Sequence, residues 1–158
     1  MTQPSEETFS AEHTMEFPGG YTRSLGPVIG RYLTGLRDGR FVGVRTDDGR
    51  VIVPPTEYDP ETSAALGAAD TDFVEVGPAG RVETWAWVAN PRAKHPLDRP
   101  FAWALIRLDG ASTALLHAVD TGDPARMRTG LRVRPEWRAD RVGSVLDVAY
   151  FTPAEEDA

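Results

Sequence analysis

From residue 73 to residue 151 the chain is a succession of short apolar runs, broken at regular spacing by turns that carry glycine. That spacing leaves no room for crossover helices, so it predicts a small closed all-β unit rather than a parallel sheet of βαβ units. Strands are expected near 73–76, 81–88, 101–108, 113–119, 131–137 and 145–151, with a single helical turn at 123–127. Leu131, Val133 and Pro135 alternate with Arg132, Arg134 and Glu136, which gives that strand one face for a core and one for solvent or a partner.

The sequence before this unit is of a different kind. Residues 1–16 are polar and acidic with few apolar anchors and are expected to be a mobile arm; Pro18-Gly19-Gly20 marks a turn. Val28, Ile29, Tyr32, Leu33 and Leu36 then recur at helical spacing behind Pro27, and Asp38-Gly39 closes the element. Two apolar runs at 41–44 and 51–53 flank Asp47-Asp48-Gly49, a hairpin signal, and Pro54-Pro55 stops the second. Residues 56–71 have room for a short helix. The expected division is thus 1–16 arm, 17–72 helix and hairpin region, 73–152 barrel and 153–158 acidic tail.

The chain has 158 residues, 41% of them hydrophobic, enough for one real core. It contains no cysteine, which excludes disulfides, thiolate-ligated zinc, iron–sulfur clusters and thiol nucleophiles. A net charge of −7 argues against broad binding to phosphate backbones, although Arg92, Lys94 and Arg99 cluster in one loop. No long apolar run and no leader-like start are visible, so a cytoplasmic location is expected.

Catalytic signatures are missing. There is no G-x-S-x-G elbow, and Gly77-Pro78-Ala79-Gly80 is a hairpin rather than a dinucleotide cradle. His13 falls in the arm and is expected to be solvated. His117 lies in an apolar strand, where a hydrogen-bonded structural histidine is more common than a base. His95 sits in the long loop 89–100, a length often tied to function, yet a histidine held by its neighbours remains the commoner case. Trp85 and Trp87 share one face of a strand and Trp103 lies on the next. Because Val82, Thr84, Ala86 and Val88 occupy the other face, this strand is expected to be buried on both sides.

The succession LTGLRDGRFVGVR, GRVIVPP, YDPET, GPAGRVETWAWV and HPLDRPFAWALIRLDG resembles the family in which a rubredoxin-like zinc ribbon precedes an acyl-CoA-associated OB-fold. The likeness runs from Leu25 to Phe151. It implies a mainly β fold: an OB-fold barrel preceded by an N-terminal helix and a degenerate, metal-free ribbon hairpin. The ribbon pattern of that family, C-x-x-C-G followed by C-P-x-C, falls here on Arg45, Asp48, Asp59 and Thr62, with Gly49 and Pro60 still beside them. Arginine cannot ligate zinc and a lone threonine ligates it poorly. Arg45 is expected either to pair with Asp48 or Asp59 in place of the metal, or to be one of three unrelated surface charges.

The resemblance further implies a non-catalytic companion of thiolase-like enzymes, thiolases or retro-aldolases acting on acyl-CoA thioesters, with steroid side-chain degradation as the setting of some relatives. No cofactor is expected. Expected partner contacts are Tyr32, Leu33, Leu36, Val53, Pro54 and Pro55. An alternative is direct acyl-CoA binding through Arg92, Lys94, His95 and Arg99, the His-Pro of that loop recurring in the family. A single-stranded nucleic-acid module is disfavoured by charge, and a hydratase or esterase by the lack of an acid–base pair.

Overall fold

The computed structural model describes residues 12–15 and 21–155, with side chains from Leu25 to Glu155. A hairpin of β1 (Glu12–Met15) and β2 (Tyr21–Ser24) leads into helix α1 (Gly26–Arg37). Residues 12–15 of the expected arm are therefore a paired strand, in register with 21–24. The rest of that arm and Pro18-Gly19-Gly20 lie outside the described residues.

Helix α1 starts where the sequence places it, with Pro27 in its first turn, where a missing N–H costs nothing. Val28, Tyr32, Leu33 and Leu36 form its buried stripe. The helix ends as the amides of Asp38 and Gly39 donate to the carbonyls of Thr34 and Leu36, and Gly39 takes the φ of +73° that the stop requires. Gly35 lets the helix approach the next strand closely: a Cβ there would lie 2.9 Å from Val42 Cγ2.

Strands β3 (Phe41–Arg45), β4 (Val51–Ile52) and β5 (Phe73–Val76) form a three-stranded antiparallel sheet in the order β4-β3-β5. The strand at 73–76, expected to open the barrel, instead pairs with β3, Phe41 opposite Val76. The expected short helix within 56–71 is replaced by turns, a Tyr58–Ala65 bridge and one 3-10 turn starting at Asp70.

The barrel itself is closed by β6 (Gly80–Val88), β7 (Phe101–Leu108), β8 (Leu115–Val119), β9 (Arg132–Trp137) and β10 (Val148–Pro153), in the order β10-β8-β7-β6-β9. All pairs are antiparallel except β10 with β8. Consecutive strands β6, β7 and β8 run as a meander, and β10 reaches β8 past β9, which is the OB arrangement. Val82, Ala104, Ile106, Val119, Val133 and Phe151 fill its interior. The last strand starts three residues later than expected, because residues 145–147 form a 3-10 turn, and it takes in Pro153 of the expected tail.

A bulge decides which face of β6 is inside. Val82 pairs with Ile106 and Thr84 with Leu105, leaving Glu83 as an extra residue between them. Val82 therefore points inward, while two residues on Thr84 points out. Trp85 and Trp87 pack against the core, and Thr84 and Ala86 are exposed. The expectation of a strand buried on both sides fails for this reason.

Hydrogen bonds along one edge and a shared apolar core bind the small sheet to the barrel. The edge of β4 is capped by the turn before β8: Val51 N–H donates to Ser112 Oγ (3.0 Å) and Val53 N–H to Thr113 Oγ1 (2.7 Å). Those side chains are spent on the neighbouring sheet, so β8 begins at Leu115 and not at 113. Phe41, 1% exposed, packs its ring 5.0 Å from Trp137 and 6.1 Å from Phe151. Among the described residues no helix is long and apolar enough to cross a membrane.

Candidate functional site

The hairpin β3–β4 and the turn after it, where the resemblance places a degenerate ribbon, are held together by an arginine, but not by Arg45. Arg45 projects from β3 into solvent and has no ion pair among the described residues, because its neighbour Val44 takes the buried face. Arg50 lies across the turn from Thr46, whose amide donates to the Arg50 carbonyl (2.9 Å), and its guanidinium points between the two turns. There Nε meets Asp48 Oδ2 at 2.8 Å, Nη2 meets Asp59 Oδ2 at 2.8 Å and Nη1 meets Glu61 Oε1 at 3.0 Å. Asp59 is buried and also accepts from the amides of Glu61 (2.8 Å) and Thr62 (3.4 Å). Asp48 accepts from the Thr46 hydroxyl. Two of the four positions onto which the resemblance places ribbon ligands, Asp48 and Asp59, thus converge on a cation supplied from a third place. This donor set does not fit zinc: it is filled by a fixed positive charge, with an arginine and a threonine at the remaining positions.

The carboxylates are tuned accordingly. The Thr46 hydroxyl, then Arg50, hold the Asp48 carboxyl at about 2. The Glu61 amide leads in lowering Asp59, outweighing the effect of burial with help from Arg50. The register of the hairpin carried the signal for Arg50, since a turn at Asp47-Asp48-Gly49 sets position 50 opposite 46.

The expected partner contacts divide in two. Leu36 and Val53, 1% and 2% exposed, are core residues and cannot meet a partner. Tyr32, Leu33, Pro54 and Pro55 do converge, and with Leu25, Ile29, Ser144 and Val145 they line an apolar groove of about 280 Å3. Burial pushes the Tyr32 hydroxyl up to about 12, so the groove carries no charge from it. Sequence reasoning missed the third wall, residues 144–145, which look like part of a strand.

A second cavity, of about 460 Å3, opens on the other side of that wall. Lys94 and His95 of the loop 89–100 reach it, together with Trp103, Leu116, His117 and Arg138. Of the expected CoA contacts only these two arrive. Arg99 is turned away, its guanidinium on Asp120 Oδ2 (2.6 and 2.8 Å) and over the Tyr150 ring, and Arg92 is exposed outside the cavity. His95 is fixed by its neighbours, as expected: Nδ1 accepts from the Arg92 amide (3.1 Å) and the ring stands edge-on to Phe101.

His117 is structural in the same sense. Its Nδ1 accepts from the Ala118 amide (2.9 Å) and its ring lies 5.4 Å from Phe151. Burial holds the imidazole below its usual 6.5, offset only in part by backbone groups of Ala118, Val145 and Val148. As pH falls the unfolded chain takes this proton first, so the stability His117 leaves intact above 6.5 is lost on going below it. Replacing His117 with glutamine should flatten the fall in melting temperature between about pH 7 and about pH 5. A slope identical to that of the wild type would remove His117 from this role.

A family model for the ChsH2 C-terminal OB-fold domain matches residues 73–138. No curated protein matches the chain. Two solved structures share the architecture. One is a protein of unknown function of the DUF35 family from Sulfolobus solfataricus, with a TM-score of 0.54 at 21% identity, covering 70% of this chain and 78% of that one. The other is an Ltp2–ChsH2(DUF35) aldolase, with a TM-score of 0.56 at 19% identity, covering 78% of this chain and 91% of that one. At such identities the likeness is one of fold. The matched segment contains β5 to β9 and the bulge that orients Trp85 and Trp87, and the strand order around it is that of an OB barrel. Residues 73–138 of this chain therefore match the ChsH2 C-terminal OB-fold domain in sequence pattern and share the OB strand order in structure.

Proposed function

We propose that this chain is a non-catalytic accessory subunit that docks on and stabilises a thiolase-like enzyme, a thiolase or retro-aldolase acting on acyl-CoA thioesters in the cytoplasm, with steroid side-chain degradation as its setting. The observation that carries this reading is the apolar groove where Ile29, Tyr32 and Leu33 of α1 meet Pro54, Pro55 and Val145. A groove walled mostly by proline and aliphatic side chains, with the Tyr32 hydroxyl pushed up to about 12 by burial and the Ser144 hydroxyl accepting from the Leu146 amide, suits an apolar side chain from another protein. The match to the ChsH2 C-terminal OB-fold domain supports it, as does the similarity in fold to an Ltp2–ChsH2(DUF35) aldolase.

Co-expression with a thiolase-like enzyme from the same genome tests the reading. Co-elution as one hetero-oligomer in size-exclusion chromatography is the expected result. Two separate peaks at micromolar concentrations would overturn it.

A second reading, direct binding of acyl-CoA, is favoured by one feature: Lys94, His95 and Arg138 border a cavity whose other walls are apolar. Titration calorimetry of the isolated chain with an acyl-CoA separates the two. The accessory reading expects no heat until the enzyme is present.

A further inference from the structure

We propose that one continuous docking face runs from the outer wall of the barrel at Leu105 and Leu116, across the turn at 142–146, to the helix groove at Ile29. Its occupant is an apolar surface of the thiolase-like subunit that carries carboxylates opposite Lys94 and Arg138. This inference rests on the accessory-subunit reading and specifies where and how the contact is made.

Exposed large hydrophobic side chains are few among the described residues: Tyr58, Leu105, Leu116, Val142, Val145 and Leu146. Leu116, Val145 and Leu146 meet at the larger cavity, Leu105 lies across the strands from Leu116, and Val142 opens the turn that carries Val145 and Leu146. Val145 also walls the groove beside α1. Single exposed leucines need no explanation, but a connected set bridging two cavities does.

The central turn is built to hold its shape. Asp147, only 2% exposed, accepts from the amides of Val142 (3.1 Å), Gly143 (2.7 Å) and Ser144 (3.0 Å), and the Ser144 hydroxyl accepts from the amide of Leu146 (3.2 Å). A fully used carboxylate inside therefore fixes a backbone that presents Val142, Val145 and Leu146 at 78%, 56% and 60% exposure outside. Apolar groups shown on a rigid loop lose little freedom when covered, the condition for tight docking.

Charge selects the occupant. The chain carries −7 overall, yet no Asp or Glu lines either cavity. Lys94 and Arg138, both at the larger cavity, have no ion-pair partner among the described residues. Carboxylates on the partner would complete them. A second copy meeting this face about a two-fold axis would set the same cations and the same uncharged surface against each other, with no carboxylate to complement them.

Binding of purified variants to a thiolase-like enzyme from the same genome that co-elutes with the wild type, followed by interferometry, tests the inference. Leu146→Asp should weaken binding by more than about ten-fold and Val145→Ser by a few-fold, whereas Tyr58→Ser should leave affinity unchanged. The pair Lys94→Glu with Arg138→Glu should slow association and reduce its sensitivity to salt. All these side chains are exposed or on a rim, and circular dichroism verifies that each variant is folded. If the wild type binds and Leu146→Asp and Val145→Ser bind equally well, the face is wrong while the accessory role stands. If no such enzyme binds the wild type, both fall. If light scattering finds a dimer of this chain alone that Leu146→Asp dissociates, the occupant is a second copy and the inference is overturned.

Discussion

Replacing Phe41 with alanine should destabilise the protein by about 3–5 kcal/mol and lower its melting temperature by roughly 10 °C. The ring is 1% exposed and lies against Trp137 of β9 and Phe151 of β10, while its backbone belongs to the small sheet. Truncation would remove apolar area and leave a void lined by two aromatic rings from another layer, which cannot follow the smaller side chain because the barrel fixes them. Two further readouts separate this from ordinary core damage. Emission from Trp137 should shift to the red, and the unfolding transition should broaden as the small sheet loses a large apolar tie to the barrel. Phe41→Leu, which keeps most of the volume, should cost about 1.5 kcal/mol or less. A melting temperature for Phe41→Ala within about two degrees of the wild type would show that the ring is not the junction.

How much of this was legible beforehand depends on the range of the interaction. Helix α1 was read from its own stripe and stop signals, since Pro27, the buried series ending at Leu36 and Gly39 act within a few residues. Strand β7 was likewise read to the residue, 101–108. The errors fall where a distant element decides. Phe73–Val76 reads as a barrel strand by composition, but its partner is β3. Residues 113–114 have the β-branched and small character of a strand, yet Thr113 is drawn off to cap Val53. The bulge at Glu83 reverses which alternate residues of β6 are inside, and no local motif marks it.

The same holds for the candidate site. The helix stripe pointed to Tyr32 and Leu33 and the proline-rich segment to Pro54 and Pro55, and the four line one groove, but that groove also needs Val145, which is distant in sequence and looks like the start of a strand. Loop 89–100, singled out by length, brings Lys94 and His95 to a cavity. Which of its cations face the cavity could not be read, because Arg99 is claimed by Asp120 from beyond β8.

The sharpest test of the Arg50 ion centre is a contrast between two arginines. Arg50→Met should lower the melting temperature by about 5 °C or more, whereas Arg45→Met, on the exposed side of the same hairpin, should leave it unchanged. Arg50 uses all three guanidinium nitrogens on three carboxylates, and Asp59 among them is buried. Without the cation, Asp59 keeps only the amides of Glu61 and Thr62 while two other carboxylates stand close by. Arg50→Lys should fall between, since one ammonium cannot span the fork that joins both turns. The direction with pH follows from the depressed carboxyls. Their stabilisation is complete above the ordinary carboxyl value of 3.8 and is lost as pH falls toward the value of about 2 held by Asp48. In Arg50→Met these groups protonate at higher pH, which relieves the uncompensated charge of Asp59. The gap between wild type and variant should therefore be widest near neutrality and close on acidification below about pH 4. A gap that stays constant with pH, or an equal loss for Arg45→Met, would mean that hairpin packing and not this ion centre holds the two turns together.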